Sequence, residues 1–439
     1  MTYFGLYAQQ HRGQESAGIV SRDGSAVHEY KGMRLVHDIF DEEHLAKLCG
    51  DIAIGHVRYS TAGTSALRNA QPFLIRHGDR TIAVAHNGNL TNAKELRAKM
   101  EGQGAIFQTE ADSEIFLHLI IRNLITMPLD KAVVAACNNV EGAYCLLILV
   151  DDVLIAVRDP YGIRPLSLGK INGSHVLASE TCAFDLVEAE CIRSLDPGEV
   201  VVIEGGKLRS LSLGGNAPTR QCIFELVYFA RPDSNIFGEN VYMCRKAMGR
   251  RLAQEAPVDA DFVMPFPDSG IYCAVGYAQE SGIPYEHALI RNHYVGRTFI
   301  QPSQSMRDFS VRVKINPVKE VIAGKRILIV DDSIVRGTTM RTRVRKLREL
   351  GAREVHCRIS CPPVRWPCFY GVDFASRSEL LASAMDEEAI RKELGLDTLA
   401  FLSTEGLLSA VARPDAYCLA CFDGNYCIPV RDAEPGCGC

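Results

Sequence analysis

Short apolar segments of strand length dominate the first two hundred residues of the chain. DIAIGHVRYST, TIAVAHNGNL, YCLLILVDD and VLIAVRD are continuous or alternating apolar runs separated by turns. One stretch, from about residue 112 to 124, instead repeats apolar residues at helical spacing, at Ile115, Phe116, Leu119 and Ile120. The pattern predicts a sheet-rich amino-terminal half with a packed helix.

The second half of the chain follows a different pattern. KRILIVDD is a β-branched apolar run that ends in two acids, and a Gly/Thr loop, the basic helix MRTRVRKLREL and the strand EVHCRIS follow it. A strand, loop, helix and strand at this spacing predict a βαβ unit in a parallel sheet. The segment GGNAPTR, between the two halves, is the best candidate for a linker.

The composition bounds the class of protein. The chain has 439 residues, with 48 Lys and Arg, 53 Asp and Glu and a formal net charge of -5. Two or three domains are expected from this length, and the charge favours no nucleic-acid or membrane partner. A cytoplasmic protein is expected, because the sequence has neither a signal-peptide pattern nor an apolar run long enough to cross a bilayer. Its 16 cysteines are then expected to stay reduced, as small buried residues or metal ligands.

The segment ILIVDDSIVRGTT, Ile327 to Thr339, combines two features of a sugar-phosphate site. Asp331 and Asp332 stand at the carboxyl end of a predicted parallel strand, where open α/β sheets bind ligands. The residues after them supply hydroxyls, small side chains and backbone N–H groups just before a helix, and these suit an anion. The two acids suit ribose hydroxyls, or a Mg²⁺ ion that bridges to a diphosphate.

This segment resembles the 5-phosphoribosyl-1-diphosphate (PRPP) loop of type I phosphoribosyltransferases, whereas the Walker pattern GxxxxGK[ST] is missing from the sequence. The resemblance implies that Asp331 and Asp332 contact the ribose or its metal. It also implies a 5′-phosphate site formed by Ser333, Ile334, Val335, Arg336, Gly337, Thr338 and Thr339.

Two further segments resemble the glutamine PRPP amidotransferase family. RNHYVGRTFIQPSQSMR, residues 291–307, resembles a loop that closes over PRPP, although it reads RNHY where KNRY is expected. The likeness implies a contact between Arg297 and the diphosphate. PFPDSG resembles a segment whose serine is associated with the metal, so Ser269 is implied to join Asp331 and Asp332 around Mg²⁺.

The amino-terminal half resembles class II glutamine amidotransferases through QHRGQESAGI, GHVRYSTAG, HNGNLTN, TEADSE and RDPYGIRPLSLG. The resemblance implies that Arg58 binds the glutamine α-carboxylate, for which a guanidinium offers a bidentate pair. Asp112 then matches the position that holds the α-amino group. Asn87 and Gly88 match an oxyanion hole, in which a side-chain amide and a backbone N–H face the developing negative charge.

The nucleophile that this resemblance implies is an amino-terminal cysteine, whose own α-amine acts as its base. In the family a Cys-Gly pair and an apolar strand precede the segment that TYFGLYAQQHRGQ resembles, but here the first cysteine is Cys49, which has no matching role. Two interpretations stay open: a start assigned too late or an incomplete sequence, or an inactive glutaminase half in an enzyme that uses ammonia. The polypeptide as printed is predicted to lack glutamine-dependent activity.

Cys418 and Cys421 form a CxxC, a spacing at which two thiolates can reach one metal centre. A thioredoxin-type redox pair is the rival, but such pairs follow the first strand of a βαβ unit. Cys222 and Cys368 match the other ligands of a [4Fe–4S] cluster in the Bacillus-like branch of the family, a cluster that the enteric branch lacks. The implied role is structural, and zinc is the alternative metal for four cysteines.

The resemblance implies an α+β Ntn-hydrolase-type (αββα) glutaminase domain followed by an α/β type I phosphoribosyltransferase domain. The predicted boundaries are 1–206 for the first domain and 207–417 for the second. A carboxyl-terminal tail, residues 418–439, carries the CxxC.

The implied reaction converts PRPP, glutamine and water to 5-phosphoribosylamine, glutamate and diphosphate, the first committed step of purine synthesis. The resemblance also implies a homotetramer inhibited by AMP- and GMP-type nucleotides, with Mg²⁺ and [4Fe–4S] as cofactors. Two alternatives remain: an ammonia-dependent phosphoribosyltransferase with an inactive glutaminase half, and a non-catalytic regulator that senses PRPP. A regulator has no need of Arg58, Asn87, Gly88 and Asp112.

Overall fold

The computed structural model describes residues 1–59, 64–292, 315–374 and 376–430. The strands of the amino-terminal domain are β1 (Ser16–Asp23), β2 (Ala26–Met33), β3 (Ile52–Arg58), β4 (Phe73–His77), β5 (Arg80–Leu90), β6 (Gly142–Val150), β7 (Val153–Arg158), β8 (Ser167–Ile171), β9 (Ser174–Ala178), β10 (Glu190–Ser194), β11 (Glu199–Glu204) and β12 (Lys207–Ser212). Its helices are α1 (Thr2–Ala8), α2 (Val36–Ile39), α3 (Glu42–Lys47), α4 (Ala93–Glu101), α5 (Glu114–Leu124), α6 (Leu129–Cys137) and α7 (Cys182–Val187), with 3-10 turns at Gln10–Arg12 and Leu67–Asn69.

Four layers form this domain. The central antiparallel sheet has the order β12-β11-β7-β6-β5-β4, and two three-stranded sheets, β2-β1-β3 and β10-β8-β9, pack on one of its faces. Alternation along β5 explains the layering, because Ile82 and Val84 share a core with α5 while Ala83 and Ala85 pack against β1 and β3. Helix α7 covers β9 on the outside. The predicted αββα sandwich is confirmed.

The boundary predicted between residues 206 and 207 needs correction. Strands β11 and β12 form an antiparallel hairpin in which Glu199 pairs with Ser212, and residues 205 and 206 are its turn. A domain boundary cannot separate two paired strands, so the first domain continues to Ser212. The linker predicted at GGNAPTR begins two residues later, after Leu213, which is buried in the core of this domain.

The strands of the second domain are β13 (Gln221–Cys222), β14 (Asn235–Ile236), β15 (Glu239–Asn240), β16 (Phe262–Pro265), β17 (Leu289–Arg291), β18 (Ile315–Pro317), β19 (Arg326–Asp331), β20 (Glu354–Ile359), β21 (Thr398–Phe401) and β22 (Tyr417–Cys418). Its helices are α8 (Val241–Glu255), α9 (Ile271–Ser281), α10 (Lys319–Ile322), α11 (Thr338–Glu349), α12 (Leu381–Ala384), α13 (Glu387–Leu394), α14 (Thr404–Leu408) and α15 (Ala420–Asp423), with a π-helical turn at Glu225–Phe229 and 3-10 turns at Arg377–Glu379 and Pro414–Ala416.

A parallel sheet of order β16-β19-β20-β21 is the centre of this domain. The predicted βαβ unit is β19, α11 and β20, and the apolar run from Ile327 to Val330 is fully buried in it. Gly337 stands just before α11 with a φ of +71°, and a Cβ there would lie 2.7 Å from the Leu381 side chain. Only glycine suits that turn. No helix within the described ranges has the length and apolarity that spanning a membrane requires.

Glu180 joins the two domains through a fully buried carboxylate. Within its own domain it accepts hydrogen bonds from His11 Nε2 at 2.6 Å and from Arg12 Nη1 at 2.5 Å. From the second domain, the backbone N–H of Arg231 donates to it at 2.8 Å and Ser234 Oγ at 2.7 Å. Burial alone would raise the pKa of this carboxyl group, but Arg12, His11 and the N–H of Arg231 together hold that pKa well below its ordinary value.

We expect Glu180→Gln to lower the free energy of unfolding by about 3 kcal/mol at neutral pH, because it leaves a buried cation without part of its countercharge. A carboxyl group with a lowered pKa in the folded state stabilises the fold above its unfolded pKa and loses that effect as the pH falls. The difference in the free energy of unfolding between the two proteins should therefore shrink below about pH 4.5, the ordinary pKa of a glutamate side chain. Urea unfolding of both proteins across this range measures it, and a difference under 1 kcal/mol at pH 7 contradicts the prediction.

Candidate active sites

A narrow cavity of about 50 Å³ lies where β3 of one small sheet packs over β5 of the central sheet, and the second domain closes one side of it. It brings together the four residues predicted to handle glutamine, Arg58, Asn87, Gly88 and Asp112. Its other lining residues are Arg12, His56, Val57, Tyr59, Gln71, His86, Ala111, Ser113, Arg164, Phe229 and Gly371. The predicted glutamine residues therefore share one cavity.

Asp112 is held rigidly at the wall of this cavity. Its Oδ2 accepts the backbone N–H of Leu90 at 2.9 Å, and its Oδ1 accepts Ser113 Oγ at 3.2 Å. His86 Nδ1 lies 3.6 Å from Oδ1. Burial raises the pKa of Asp112, but His86 and these hydrogen bonds outweigh it and the net pKa is below the ordinary value. The carboxylate is thus ionised at neutral pH, as binding an ammonium group requires.

Arg58 also lines the cavity, but its guanidinium already has partners inside the protein. Nη1 contacts the Glu15 carboxylate and donates to the backbone oxygen of Thr64 at 3.3 Å. Glu15 therefore competes with a substrate carboxylate for this guanidinium.

Asn87 and Gly88 lie next to each other on β5. Gly88 has a φ of +152°, and a Cβ at this position would come within 1.9 Å of the Ala143 carbonyl oxygen, so only glycine fits. The amide oxygen of Asn87 accepts from Arg164 Nη2 at 3.4 Å. Both residues line the cavity, and their role as an oxyanion hole stays a prediction.

Sequence motifs did not single out four other residues that line the cavity. Arg12 and Arg164 lie inside the strings QHRGQ and GIRPL, which carried the resemblance without assigning them a role. Phe229 and Gly371 come from the second domain, and a Cβ on Gly371 would lie 3.0 Å from Gly88. Phe229 and Gly371 are far in sequence from the glutamine motifs, so no motif indicates that they line this cavity. Only the folded structure shows it.

A second, larger cavity of about 920 Å³ lies between the two small sheets. Among the described residues β3 and β9 are edge strands, each paired on one side, and both line this cavity. It extends to His56 and Asn87, so it adjoins the glutamine cavity. His56 donates from Nε2 to the His86 carbonyl at 3.0 Å, and burial lowers the pKa of His56 to about 3. This histidine is therefore neutral at physiological pH.

The predicted PRPP residues meet at the carboxyl end of the parallel sheet. Strands β16 and β19 are adjacent, which places the PFPDSG segment beside the two acids, with Ser269 Oγ 3.5 Å from Asp331 Oδ1. Asp331 and Asp332 are both buried. Burial and then the charge of Asp332 raise the pKa of Asp331 well above its ordinary value. Within the described ranges neither acid forms an ion pair, so this end of the sheet suits a divalent cation.

The loop after the two acids presents hydroxyls and backbone rather than apolar side chains. Ser333 Oγ donates to Asp332 Oδ2, and Thr338 and Thr339 are exposed in the first turn of α11. Ile334 and Val335 were assigned to the phosphate, but both side chains pack into the core of the domain. For these two residues, only the backbone can face a phosphate.

The two arginines predicted to contact PRPP are Arg336 and Arg297. The guanidinium of Arg336 forms an ion pair with Glu379 at 3.3 Å on the surface. Arg297 lies outside the described residues, as does most of the segment from 291 to 307 in which it was predicted.

The four cysteines predicted to bind a cluster converge where the second domain meets its carboxyl-terminal segment. β13 and β22 pair in parallel with Cys222 opposite Cys418. The Cys421 carbonyl accepts the backbone N–H groups of Arg365 and Trp366 at 3.0 and 3.1 Å, which brings the segment of Cys368 alongside. Burial, followed by the nearby thiols of Cys222 and Cys368, raises the pKa of Cys421 well above its ordinary value.

Two more cysteines lie near this group. Cys361 also raises the pKa of Cys421, after burial, Cys222 and Cys368. Cys427 hydrogen-bonds with Cys418, and this bond is the largest cause of the raised pKa of Cys418. Among the described residues no three His, Cys, Asp or Glu side chains are close enough to hold a single metal ion.

Comparison with known families divides the chain in the same way as the fold does. A glutamine amidotransferase domain family matches residues 56–185, and a phosphoribosyl transferase domain family matches residues 240–364. The first match includes the glutamine cavity residues of β3 and β5. The second includes both acids and the loop after them.

Relatives match nearly the whole chain. Amidophosphoribosyltransferase of Bacillus subtilis is 49% identical over 97% of this chain and 90% of its own length, and that of Methanocaldococcus jannaschii is 48% identical over 97% and 93%. A solved structure of the B. subtilis glutamine PRPP amidotransferase complexed with ADP and GMP has a TM-score of 0.93 at 48% identity, covering 99% of this chain and 96% of that one. Another, described as the allosteric regulatory enzyme of purine biosynthesis, has a TM-score of 0.94 at 48% identity, covering 98% and 94%.

Proposed function

The chain belongs to the amidophosphoribosyltransferase family, which carries out the first step of purine biosynthesis, and from this premise we propose how its residues divide the work. The transferase domain binds PRPP and replaces its diphosphate by ammonia, and the amino-terminal domain binds glutamine as the source of that ammonia. The observation that carries this division is the shared wall of the glutamine cavity, where Gly371 of the transferase domain packs on Gly88 of the oxyanion hole. Measuring PRPP consumption with ammonium chloride tests the transferase half by itself.

In the transferase half, Asp331, Asp332 and Ser269 hold Mg²⁺. Two buried carboxylates, of which Asp331 has a raised pKa, and a hydroxyl 3.5 Å from Asp331 form an oxygen-rich set of the kind that this ion prefers. When bound by these residues, the ion would neutralise charge on the departing diphosphate. The hydroxyls of Thr338 and Thr339 and the backbone N–H groups at the start of α11 bind the 5′-phosphate, where the helix dipole favours an anion. The residues thereby fix the ribose C1 for attack by ammonia.

In the glutamine half, ionised Asp112 binds the α-ammonium group and Arg58 the α-carboxylate. The carboxamide of the substrate then lies by Asn87 and Gly88, whose N–H groups stabilise the oxyanion of the tetrahedral intermediate. Neutral His56, on the neighbouring strand, adds no charge that would compete with this arrangement.

Neither Cys49 nor Cys145 of the printed sequence is suited to act as the glutaminase nucleophile. Its first cysteine, Cys49, is exposed and contacts His28 at 3.5 Å, and it lines neither cavity. Cys145 does line the large cavity beside Asn87, but burial raises the pKa of its thiol to about 12, and the S–H donates to the Arg164 carbonyl at 3.4 Å. A protonated, hydrogen-bonded thiol is a poor nucleophile.

The four cysteines Cys222, Cys368, Cys418 and Cys421 hold a [4Fe–4S] cluster with a structural role. The donor set fits: four thiols from three distant segments lie together, and the backbone N–H of Tyr370 donates to Cys368 Sγ at 3.3 Å, as cluster ligands commonly accept. Such a cluster would fasten the carboxyl-terminal segment to β13.

Anaerobically purified protein should be brown and contain about four iron and four sulfide per chain. Cys421→Ser should lose most of the iron and lower the melting temperature, because the two anchored segments are released. Cys191→Ser is the matched control, since that thiol is exposed on β10 of the other domain. Iron and sulfide analysis with visible absorbance decides the matter, and stoichiometric zinc in place of iron would contradict the proposal.

Purine nucleotides of the AMP and GMP type are proposed as inhibitors, since the B. subtilis relative was solved with ADP and GMP. A homotetramer and a cytoplasmic location remain predictions of the family resemblance and the composition. The PRPP-sensing regulator is disfavoured by the intact glutamine cavity, in which Asn87, Gly88 and Asp112 are all in place.

A further inference from the structure

Two buried arginines of the amino-terminal domain share one carboxylate of the transferase domain beside the glutamine cavity. Arg12 donates to Glu225 from Nη1 at 3.1 Å and from Nη2 at 2.7 Å, and Arg164 Nη1 lies 3.2 Å from Glu225 Oε1. Glu225 is fully buried and begins the π-helical turn that ends at Phe229. The Phe229 ring centroid lies 4.7 Å from the Arg12 guanidinium carbon and 5.1 Å from that of Arg164. This turn therefore holds both guanidinium groups from the other domain.

The guanidinium of Arg164 also contacts Asn87 of the proposed oxyanion hole. Arg164 is 1% exposed, and its Nη2 donates to Asn87 Oδ1 at 3.4 Å. A guanidinium has donors and no acceptor, so it selects the amide oxygen of Asn87 and excludes the amide nitrogen. The Asn87 NH₂ group is then turned away from Arg164, where Nδ2 donates a long hydrogen bond of 3.5 Å to Ser179 Oγ and can donate its second N–H to a developing oxyanion. A hydroxyl both donates and accepts, so Ser179 does not select an amide orientation and Arg164 does. Without such a partner, the two faces of an asparagine amide differ little in shape.

We propose that Arg164 is a positioning residue of the oxyanion hole, and that Glu225 of the transferase domain holds it in place. The glutaminase site is then complete only while the transferase domain is docked. The inference rests on the proposed glutamine cavity and adds a residue chain, Glu225 to Arg164 to Asn87, that crosses between the domains.

The test uses the full chain as printed and L-homocysteate, a glutamate analogue whose tetrahedral sulfonate imitates the charge and shape of the oxyanion. Binding needs no nucleophile and is measured by calorimetry. We expect Asn87→Ala to weaken binding by about tenfold, because one hydrogen bond to a charged group is lost. Arg164→Gln should weaken it to a similar extent, and the double variant should bind no more weakly than Asn87→Ala. Effects that do not add show that Arg164 acts through Asn87.

A purely electrostatic role for Arg164 would give the opposite pattern, with the two losses multiplying to about a hundredfold in the double variant. That outcome overturns the proposal, as does unchanged binding in Arg164→Gln. If Arg164→Gln does not fold, the same cycle is run with Arg164→Lys, which keeps the charge but not the fork of donors. Arg193→Gln is the matched control, because Arg193 pairs with Glu199 away from the cavity and its loss should leave binding unchanged.

The link to Glu225 is tested by a second cycle, which pairs Glu225→Gln with Asn87→Ala. Losing the Glu225 charge changes the affinity for the sulfonate by the same factor whether or not residue 87 is asparagine, so this electrostatic effect cancels in the cycle. A remaining coupling of threefold or more between the two substitutions shows that Glu225 acts through Asn87. Independent effects in this cycle overturn that link. If the unsubstituted chain binds neither L-glutamine nor L-homocysteate, the proposed glutamine cavity itself is wrong, a failure distinct from the two above.

Discussion

Asp331→Asn and Asp332→Asn should each lower the rate of ammonia-dependent PRPP consumption by at least about a hundredfold, equivalent to about 2.7 kcal/mol of transition-state stabilisation. Both carboxylates stand at the end of β19 beside Ser269, where they are proposed to bind Mg²⁺ and the ribose. An amide keeps the shape of the side chain but removes the charge that attracts a divalent cation. The loss should therefore fall on the apparent affinity for Mg²⁺ as well as on the maximal rate.

The same substitution at Asp331 should not destabilise the fold. Burial and the neighbouring Asp332 raise the pKa of Asp331, which means that the ionised pair is held against a repulsive interaction. Replacing one member by a neutral amide removes that repulsion, so the melting temperature should stay the same or rise. Asp259→Asn is the matched control: this exposed acid pairs with Arg326 at the other end of β19. Full activity in both site variants would show that the acids do not serve the reaction.

A cysteine supplied at the amino terminus should convert the printed polypeptide from ammonia to glutamine as nitrogen donor. The added segment is Cys-Gly followed by about six alternating apolar residues, joined ahead of residue 1. The cavity between β3 and β9 is lined by two edge strands and extends to Asn87, so one extended strand can pair there and bring its end to the oxyanion hole. Glutamine-dependent activity should rise at least about a thousandfold, the scale on which a covalent nucleophile acts.

The same segment with serine in place of cysteine is its matched control. That polypeptide should fold equally well and should use ammonia only, because a terminal serine does not supply the thiolate. Glutamate release measured beside PRPP consumption separates the two half-reactions. Equal glutamine-dependent rates with the cysteine and serine segments would contradict the assignment of the nucleophile.

The fold was largely predictable because its signals are local. Alternation in β5 and the continuous apolar run in β19 each report burial on one or two faces, and both strands lie within a residue or two of their predicted positions. The boundary predicted at 206 falls in the turn of the hairpin of β11 and β12, because a Gly-Gly turn in the sequence does not show whether the segments on its two sides pair.

Candidate site residues could be predicted from the sequence where they lie together in one short segment. The two acids and the oxyanion pair each lie within a short string, whereas Phe229 and Gly371 reach the glutamine cavity from the other domain. The phosphate loop shows a finer limit. Its motif runs through Ile334 without indicating which atoms face the ligand, and burial assigns that side chain to the core.

The most direct test of the whole account measures PRPP consumption and diphosphate release by the printed polypeptide, with ammonium chloride and with glutamine in separate reactions. The account predicts turnover with ammonium chloride that depends on Mg²⁺, and no turnover above background with glutamine. Turnover with both donors would contradict the proposed lack of a nucleophile, and turnover with neither would contradict a catalytic transferase domain and favour the PRPP-sensing regulator.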